Sequence, residues 1–460
     1  MKDGELLAGF TLGPVVHRGG MALLREVTHP DHPGTMLMKQ PLLAEGEDPA
    51  AIVSFEMEQM ILPRLGGPHV PRCIAVGHEP LPWIVMERID GDSLRPLRDR
   101  LPRPLEEVAA LGASIADALD SVHRQGVVHL DVKPSNILRR EADGRMVLVD
   151  FGLSRAARLP DLMEEEFRLP YGSAPYMAPE QVMGVRGDPA SDLFALGVLM
   201  YFFATGIRPF GDPKFSPELR RRLWSDPPPP RALVPECPPW LQEVILRCLE
   251  PAPARRHASA GQLAFDLRHP EQVALGPRSK KLRRDPWSER MKRRFHPDHQ
   301  PKLRRPLASL PRQNAPIIAV AIDLEGGSTE MAEALRGMVG RVLETFPGAR
   351  VACLNVLNGP PTRSGAGLDD SGRNAHLRRL IELRHWSAPL NLPEQRLTHH
   401  VLESLDTGAA VLAYAAQNRV DHIILGASAV TLTRRVLGTV STEVGRDAPC
   451  TVTLVRLRDS

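Results

Sequence analysis

The chain has 460 residues, 42% of them hydrophobic and 25% charged, with a formal net charge of +3. That length suggests two or three domains, and the composition is that of a globular protein with ample material for buried cores. The near balance of charge excludes a chain built as a whole around a polyanionic partner, so nucleic acid is not expected. Five scattered cysteines (Cys73, Cys237, Cys248, Cys353 and Cys450) form no C-x-x-C pair. They fit free thiols in a reducing, cytoplasmic setting better than a disulfide framework. The opening MKDGELLAGF lacks a signal pattern. The longest apolar run, LFALGVLMYFFATGI (193–207), is too short to span a membrane and predicts a core helix.

In chain order, the first half begins with strands. FTLGPVVHRGGMALLREV (10–27) reads as two strands around a turn at Arg18-Gly19-Gly20. Glycines there let backbone N–H groups approach phosphates. TMLMKQP (35–41) is a short strand carrying Lys39, and SFEMEQMILPRL (54–65) has helical spacing and carries Glu56 and Glu58. An amine on a strand needs a carboxylate to fix its head over phosphates, and a neighbouring helix can supply one. PWIVMERIDGDSL (82–94) is an apolar strand ending in a linker, and ALGASIADALDSVHRQG (110–126) is an amphipathic helix with a glycine stop. VVHLDVKPSN (127–136), MVLVDFGLS (146–154) and GSAPYMAPE (172–180) follow. They place Asp131, Lys133, Asn136 and Asp150 in loops beside short apolar strands. Phosphoryl transfer needs such a set: a carboxylate for the hydroxyl proton, a carboxylate and an amide for Mg²⁺, and cations against the transferring charge.

These blocks, in this order, resemble a eukaryotic-like serine/threonine protein kinase of bacterial type over residues 10–268. The resemblance implies a bilobal α+β kinase fold, ATP and Mg²⁺ (or Mn²⁺) as cofactors, and protein substrates with Ser/Thr acceptors. It matches Gly19 and Gly20 to the glycine-rich loop, Lys39 to the strand lysine and Glu58 to its helix partner. Met86 matches the gatekeeper, and Glu87 to Ile89 the adenine-binding hinge. Asp131 matches the catalytic aspartate, Lys133 the lysine typical of Ser/Thr kinases, and Asn136 and Asp150 the metal ligands. Glu180 is expected to pair with Arg256, and Asp192 and Gly197 to sit in the long apolar helix, with structural roles.

Three departures bear on control. His17 and Ala22 stand where the glycine loop has its first and third glycines. Leu130 stands where the family has an arginine that receives an activation-segment phosphate, and leucine cannot bind one. The segment 150–180 has no threonine; its hydroxyl residues are Ser154, Tyr171, Ser173 and Tyr176. Its run Glu164-Glu165-Glu166 would repel an added phosphate. A solvated face is the plain reading of that run, and selection of basic substrates the other. A kinase active without activation-loop phosphorylation is expected. The alternative is a pseudokinase scaffold that binds ATP without transfer; the retained Lys39, Glu58, Asp131, Asn136 and Asp150 favour the enzyme.

From Gly276 to Arg305 there are 12 Lys/Arg against Asp285, Glu289 and Asp298, a net +9. With its prolines and little apolar periodicity, this predicts a solvated basic linker, partly disordered, over 276–313 between domains at 1–275 and 314–460. HPDH (296–299) lacks the spacing of a zinc site.

The second half alternates strands and helices. IIAVAID (317–323), ARVACLNVL (349–357), HHVLES (399–404), DHIILGAS (421–428) and CTVTLVR (450–456) read as strands or strand and turn. STEMAEALRGMVGRVLETF (328–346), RNAHLRRLIELRHW (373–386), TGAAVLAYAAQNR (407–419) and TLTRRVLGTVSTEVGRD (431–447) read as helices. Such alternation implies a parallel α/β sheet with any ligand at the carboxyl ends of the strands. DHIILGAS … RRVLGTVSTEV … APCTVTLVR resembles the universal stress protein family. The resemblance matches Asp323 to a nucleotide-contacting aspartate, and Gly426, Gly438 and Thr439 to a phosphate loop. Ala429 replaces a loop glycine, so two readings stay open: a second nucleotide site, or a ligand-free docking or homodimerisation module.

Overall fold

The structure is a computed structural model. It describes residues 2–19, 22–42, 50–79, 81–166, 171–213, 216–295, 316–326, 328–358, 375–393, 396–427 and 439–457. The first lobe is an antiparallel sheet of β1 (Leu6–Leu7), β2 (Phe10–Arg18), β3 (Ala22–His29), β4 (His32–Pro41), β5 (Cys73–Gly77) and β6 (Trp83–Glu87), ordered β1-β2-β3-β4-β6-β5. The strand period of two sorts β4 by face. Met36 and Met38 join an apolar cluster with Phe10, Val27 and Trp83. Leu37 and Lys39 turn to the other face, toward helix α1 (Ala50–Ile61).

The second lobe is helical, with α2 (Leu105–Arg124), α3 (Leu162–Glu166), α4 (Pro179–Val182), α5 (Ala190–Thr205), α6 (Ser216–Arg220), α7 (Pro230–Leu233), α8 (Pro239–Cys248) and α9 (Ala260–Arg268). Helix α2 buries Val108, Leu111, Ile115, Leu119 and Val122 at helical spacing, and Gly126 follows it with φ +75°. Helix α5 is the expected core helix, apolar all round and buried along nearly its whole length. Gly206 ends it in the left-handed conformation, its N–H donating to Phe202 O at 2.8 Å.

Two small pairings bracket the loops that matter. β7 (Gly91–Ser93), β9 (Ile137–Arg140) and β10 (Met146–Leu148) form a sheet ordered β10-β9-β7, and β8 (Val127–Val128) pairs with β11 (Arg155–Ala156). The loop 129–136 therefore runs from β8 to β9, and the loop 149–154 from β10 to β11. Both pairings are antiparallel, so the two loops lie side by side.

Residues 276–295 of the expected basic linker stay mostly exposed but carry regular structure. They form a short helical turn, Pro277–Lys280, and helix α10 (Trp287–Phe295). Part of the basic charge meets carboxylates of the helical lobe: Lys281 meets Asp226 at 2.7 Å, and Arg278 lies 3.2 Å from Glu243. Gln242 Nε2 donates to the carbonyls of Arg278 and Lys281. Residues 296–315, with HPDH, lie outside the described residues.

The second domain is a parallel sheet of β12 (Ile317–Ala321), β13 (Arg350–Asn358), β14 (Leu397–Ser404), β15 (His422–Gly426) and β16 (Thr451–Val455), ordered β14-β13-β12-β15-β16. Helices α11 (Thr329–Thr345) and α12 (Ala375–Ser387) cover one face through Leu335, Val339, Leu380, Leu383 and Trp386. Helices α13 (Thr407–Asn418) and α14 (Thr439–Asp447) cover the other through Val411, Tyr414, Ala415 and Val444. Ser328 and Asp406 cap α11 and α13 by accepting backbone N–H groups. All five cysteines are free. Among the described residues no helix is long and apolar enough to cross a membrane.

Candidate active site

Lys39 reaches across from β4 to α1. Its Nζ lies 2.5 Å from Glu58 Oε2 and 2.9 Å from Asp150 Oδ1. Glu58 is 2% exposed, and its other oxygen receives the Phe151 N–H at 3.4 Å. Burial works against the Lys39 ammonium, but the Asp150 and Glu58 carboxylates outweigh it and raise its pKa, so it stays charged. The same ammonium holds the Asp150 carboxyl below the usual carboxylate range against the opposing effect of burial.

Asp131 sits buried at the start of the facing loop. Its Oδ2 accepts from Lys133 Nζ at 2.6 Å and Asn136 Nδ2 at 2.9 Å; its Oδ1 accepts the Ser173 N–H at 3.2 Å. Asn136 is tied to the neighbouring loop, its carbonyl receiving the Val149 N–H at 3.0 Å. The two loops run side by side, so Asn136 and Asp150, each carrying a hard oxygen donor, stand on adjacent loops. Mg²⁺ is usually held by one or two such groups together with substrate phosphates, so the pair fits it. Among the described residues there is no cluster of three or more His, Cys, Asp or Glu side chains that could hold a metal alone.

The loop carrying Asp131 is held from behind. Leu130 is 5% exposed and has φ +64°, a left-handed conformation unusual for a branched side chain. Asp192 of α5 accepts the N–H groups of His129 and Leu130, and Gln181 Nε2 donates to the Leu130 carbonyl at 3.0 Å. Burial pushes the Asp192 carboxyl up, but the His123 hydrogen bond and charge outweigh it and hold the carboxyl low. Glu180 and Arg256 form the expected pair, both side chains fully buried, at 2.7 and 2.8 Å.

Gly19 donates to Ala22 O at 2.9 Å and closes the first turn; Gly20 lies outside the described residues. Met86 is buried one residue before the end of β6, Glu87 ends the strand with Ile89 two residues beyond, and the Glu87 N–H is committed to Arg72 O. A cavity of about 440 Å³ lies not over Lys39 but behind α1, between it and the second domain.

In the second domain, strand order reverses about β12, which places the ends of β12 and β15 at the switch point. Asp323 follows β12 and Gly426 ends β15, so topology brings these two together. Asp323 Oδ1 already accepts the N–H groups of Glu325 and Gly326, both at 2.9 Å. Thr439 opens α14, while Gly438 and Ala429 lie outside the described residues.

The sequence reading missed one set of residues. Glu165 is not on a solvated face: Arg350 of β13 binds its carboxylate at 2.6 and 2.7 Å, and its side chain is 12% exposed. Glu56 of α1 is likewise held by Arg384 of α12. A signal was present, because AAIVSFEMEQMI is apolar on more than one helical face and such a helix needs partners on both sides.

Residues 13–266, more than half of the chain, match the protein kinase domain family. The chain belongs to the protein kinase family. Residues 316–456 of this kinase match the universal stress protein family. Over 278 residues it is 30% identical to a probable serine/threonine-protein kinase of Streptomyces coelicolor, SCO3848, covering 58% of this chain and 41% of that protein. Over 197 residues it is 39% identical to the serine/threonine-protein kinase PknL of Mycobacterium tuberculosis, covering 42% of this chain and 48% of that one. The chain thus spans less than half the length of either relative. The crystal structure of the M. tuberculosis PknI kinase domain aligns at 27% identity over 59% of this chain and 100% of that one, with a TM-score of 0.47.

Proposed function

We propose that the chain is a serine/threonine protein kinase of the cytoplasm, active without a phosphate on its activation segment and regulated by its C-terminal domain. The observation that carries the reading is Lys39, held between Glu58 and Asp150 beside the Asp131 loop. In this reading ATP lies under the β2–β3 turn, its adenine against backbone groups between Glu87 and Ile89 and its phosphates on Lys39. Asp131 orients the acceptor hydroxyl. The hydroxyl oxygen bonds to the γ-phosphorus, the bond to the β,γ-bridging oxygen breaks, ADP leaves, and the hydroxyl proton passes to the Asp131 carboxylate. Lys133 offsets charge on the transferring group. Asn136 and Asp150 would hold Mg²⁺, which would supply charge neutralisation to the phosphates when bound. Leu130, and a segment 150–180 without threonine, support independence from loop phosphorylation. Free thiols support the reducing compartment.

A second nucleotide at Asp323 and Gly426 is supported by their place at the switch point of the parallel sheet. Calorimetric titration of the full chain with ATP checks it: two sites are expected, falling to one in Asp323→Ala.

Incubation of the full chain with γ-labelled ATP, Mg²⁺ and a generic basic protein tests the main reading. Label on serine or threonine is expected, and is expected to be lost in Asp131→Asn. Nucleotide binding without any transfer would favour the scaffold alternative.

A further inference from the structure

Helix α1 is buried on almost every side: eleven of its twelve residues are covered. Two different bodies cover it. Val53, Phe55, Met57 and Ile61 belong to the main kinase core. Ile52 belongs instead to the apolar cluster of the C-terminal domain, with Leu380, Leu383 and Trp386, and Leu81 packs against the same cluster.

The charges divide in the same way. Glu56 and Glu58 are two residues apart, about 200° around a helix, so they project from opposite faces. Glu58 faces Lys39. Glu56, 4% exposed, faces the C-terminal domain, where Arg384 binds it and also donates to His78 Nδ1.

A second grip falls on α3, inside the activation segment. Arg350 holds Glu165, and His400 and Tyr414 flank the same carboxylate at 3.4 and 3.5 Å. Helix α3 in turn packs on α1, with the Leu162 N–H pointing at Met57 Sδ at 3.4 Å. Both grips therefore end on the element that presents Glu58.

We propose that Arg384 and Arg350 are positioning residues for phosphoryl transfer. By gripping α1 and α3 from outside, the C-terminal domain raises the population of the state in which Glu58 reaches Lys39. A domain can shift that equilibrium only through contacts made in one state and lost in the other. Withdrawal of Glu58 would carry Glu56 off Arg384 and Ile52 out of its apolar seat. Whatever loosens the C-terminal domain then lowers activity. The inference rests on the kinase reading above and deepens it.

The test is a charge-swap cycle in the full chain. Arg384→Glu is expected to lower kcat/KM for ATP about tenfold, and to speed hydrogen exchange of the α1 amides. Glu56→Arg combined with Arg384→Glu is expected to restore most of both. Arg350→Glu with Glu165→Arg repeats the cycle at α3, and serves if the first variant fails to fold. Single variants that leave ATP kinetics and α1 exchange within about twofold of the parent would overturn the inference, as would swaps that rescue neither. If the unaltered chain transfers no phosphate, the kinase reading fails. Exchange at α1 then still decides whether the grip exists.

Discussion

Asp192 Oδ1 accepts the backbone N–H of Leu130 at 2.8 Å, and the second oxygen of the same carboxylate accepts His129 N–H at the same distance. Leu130 is left-handed at φ +64°, so this carboxylate holds an otherwise unfavourable backbone in place one residue before Asp131. Asp192→Ala would leave two buried N–H groups without an acceptor, at a cost of about 3 kcal/mol. Urea denaturation checks the loss. Asp192→Asn, which keeps one acceptor, should lie between the two. An Asp192→Ala midpoint equal to the parent's would contradict the role given to this carboxylate.

The Glu180–Arg256 pair is fully buried, and Arg256 also donates to the carbonyls of Ala190, Glu250 and Pro251. Removing one partner strands the other charge in the core. Arg256→Ala should therefore destabilise the helical lobe by about 3–5 kcal/mol. Transfer kinetics measured well below its melting temperature should stay near the parent's, because neither residue touches the Lys39–Asp131 site.

His257 gives a pH dependence. Burial, then the guanidinium groups of Arg247 and Arg278, push its pKa down to about 3, although Asp266 lies 3.4 Å from Nε2. In the unfolded chain the ring takes up a proton below about pH 6.5, while the folded ring stays neutral. The unfolded state then binds more protons, so stability falls as pH drops from about 6.5, by about 2 kcal/mol at pH 5. Melting temperatures of the parent and His257→Gln across pH 7 to 5 check this. The variant should show the shallower fall.

The candidate site of the first domain was legible because each of its residues lies in a short block with a local reason. Lys39 alternates with the buried methionines of β4, and Asp131, Asn136 and Asp150 sit beside apolar strands only two to four residues long. The second domain was legible through its alternation of strands and helices. What escaped the reading was tertiary. Glu165 and Glu56 look like solvated charges because their partners, Arg350 and Arg384, lie 185 and 328 residues away. No local pattern connects them. The basic stretch 276–295 read as a spacer for the same reason, since its partners Asp226 and Glu243 belong to the lobe it folds back on. Asp192 was placed correctly in its helix, but its grip on Leu130 depends on a backbone angle that composition does not reveal.

The central claim is a transfer site assembled without a phosphate on the activation segment. Of the hydroxyl groups in that segment, Ser154 is fully buried and donates to His129 O, and Leu130 offers a phosphate no charge. The most direct measurement is steady-state phosphoryl transfer by the full chain before and after exhaustive phosphatase treatment, with Asp131→Asn as the zero. The predicted result is a treated enzyme within about twofold of the untreated one and a variant at background. A loss of about tenfold or more on treatment, or undiminished transfer by Asp131→Asn, would contradict it.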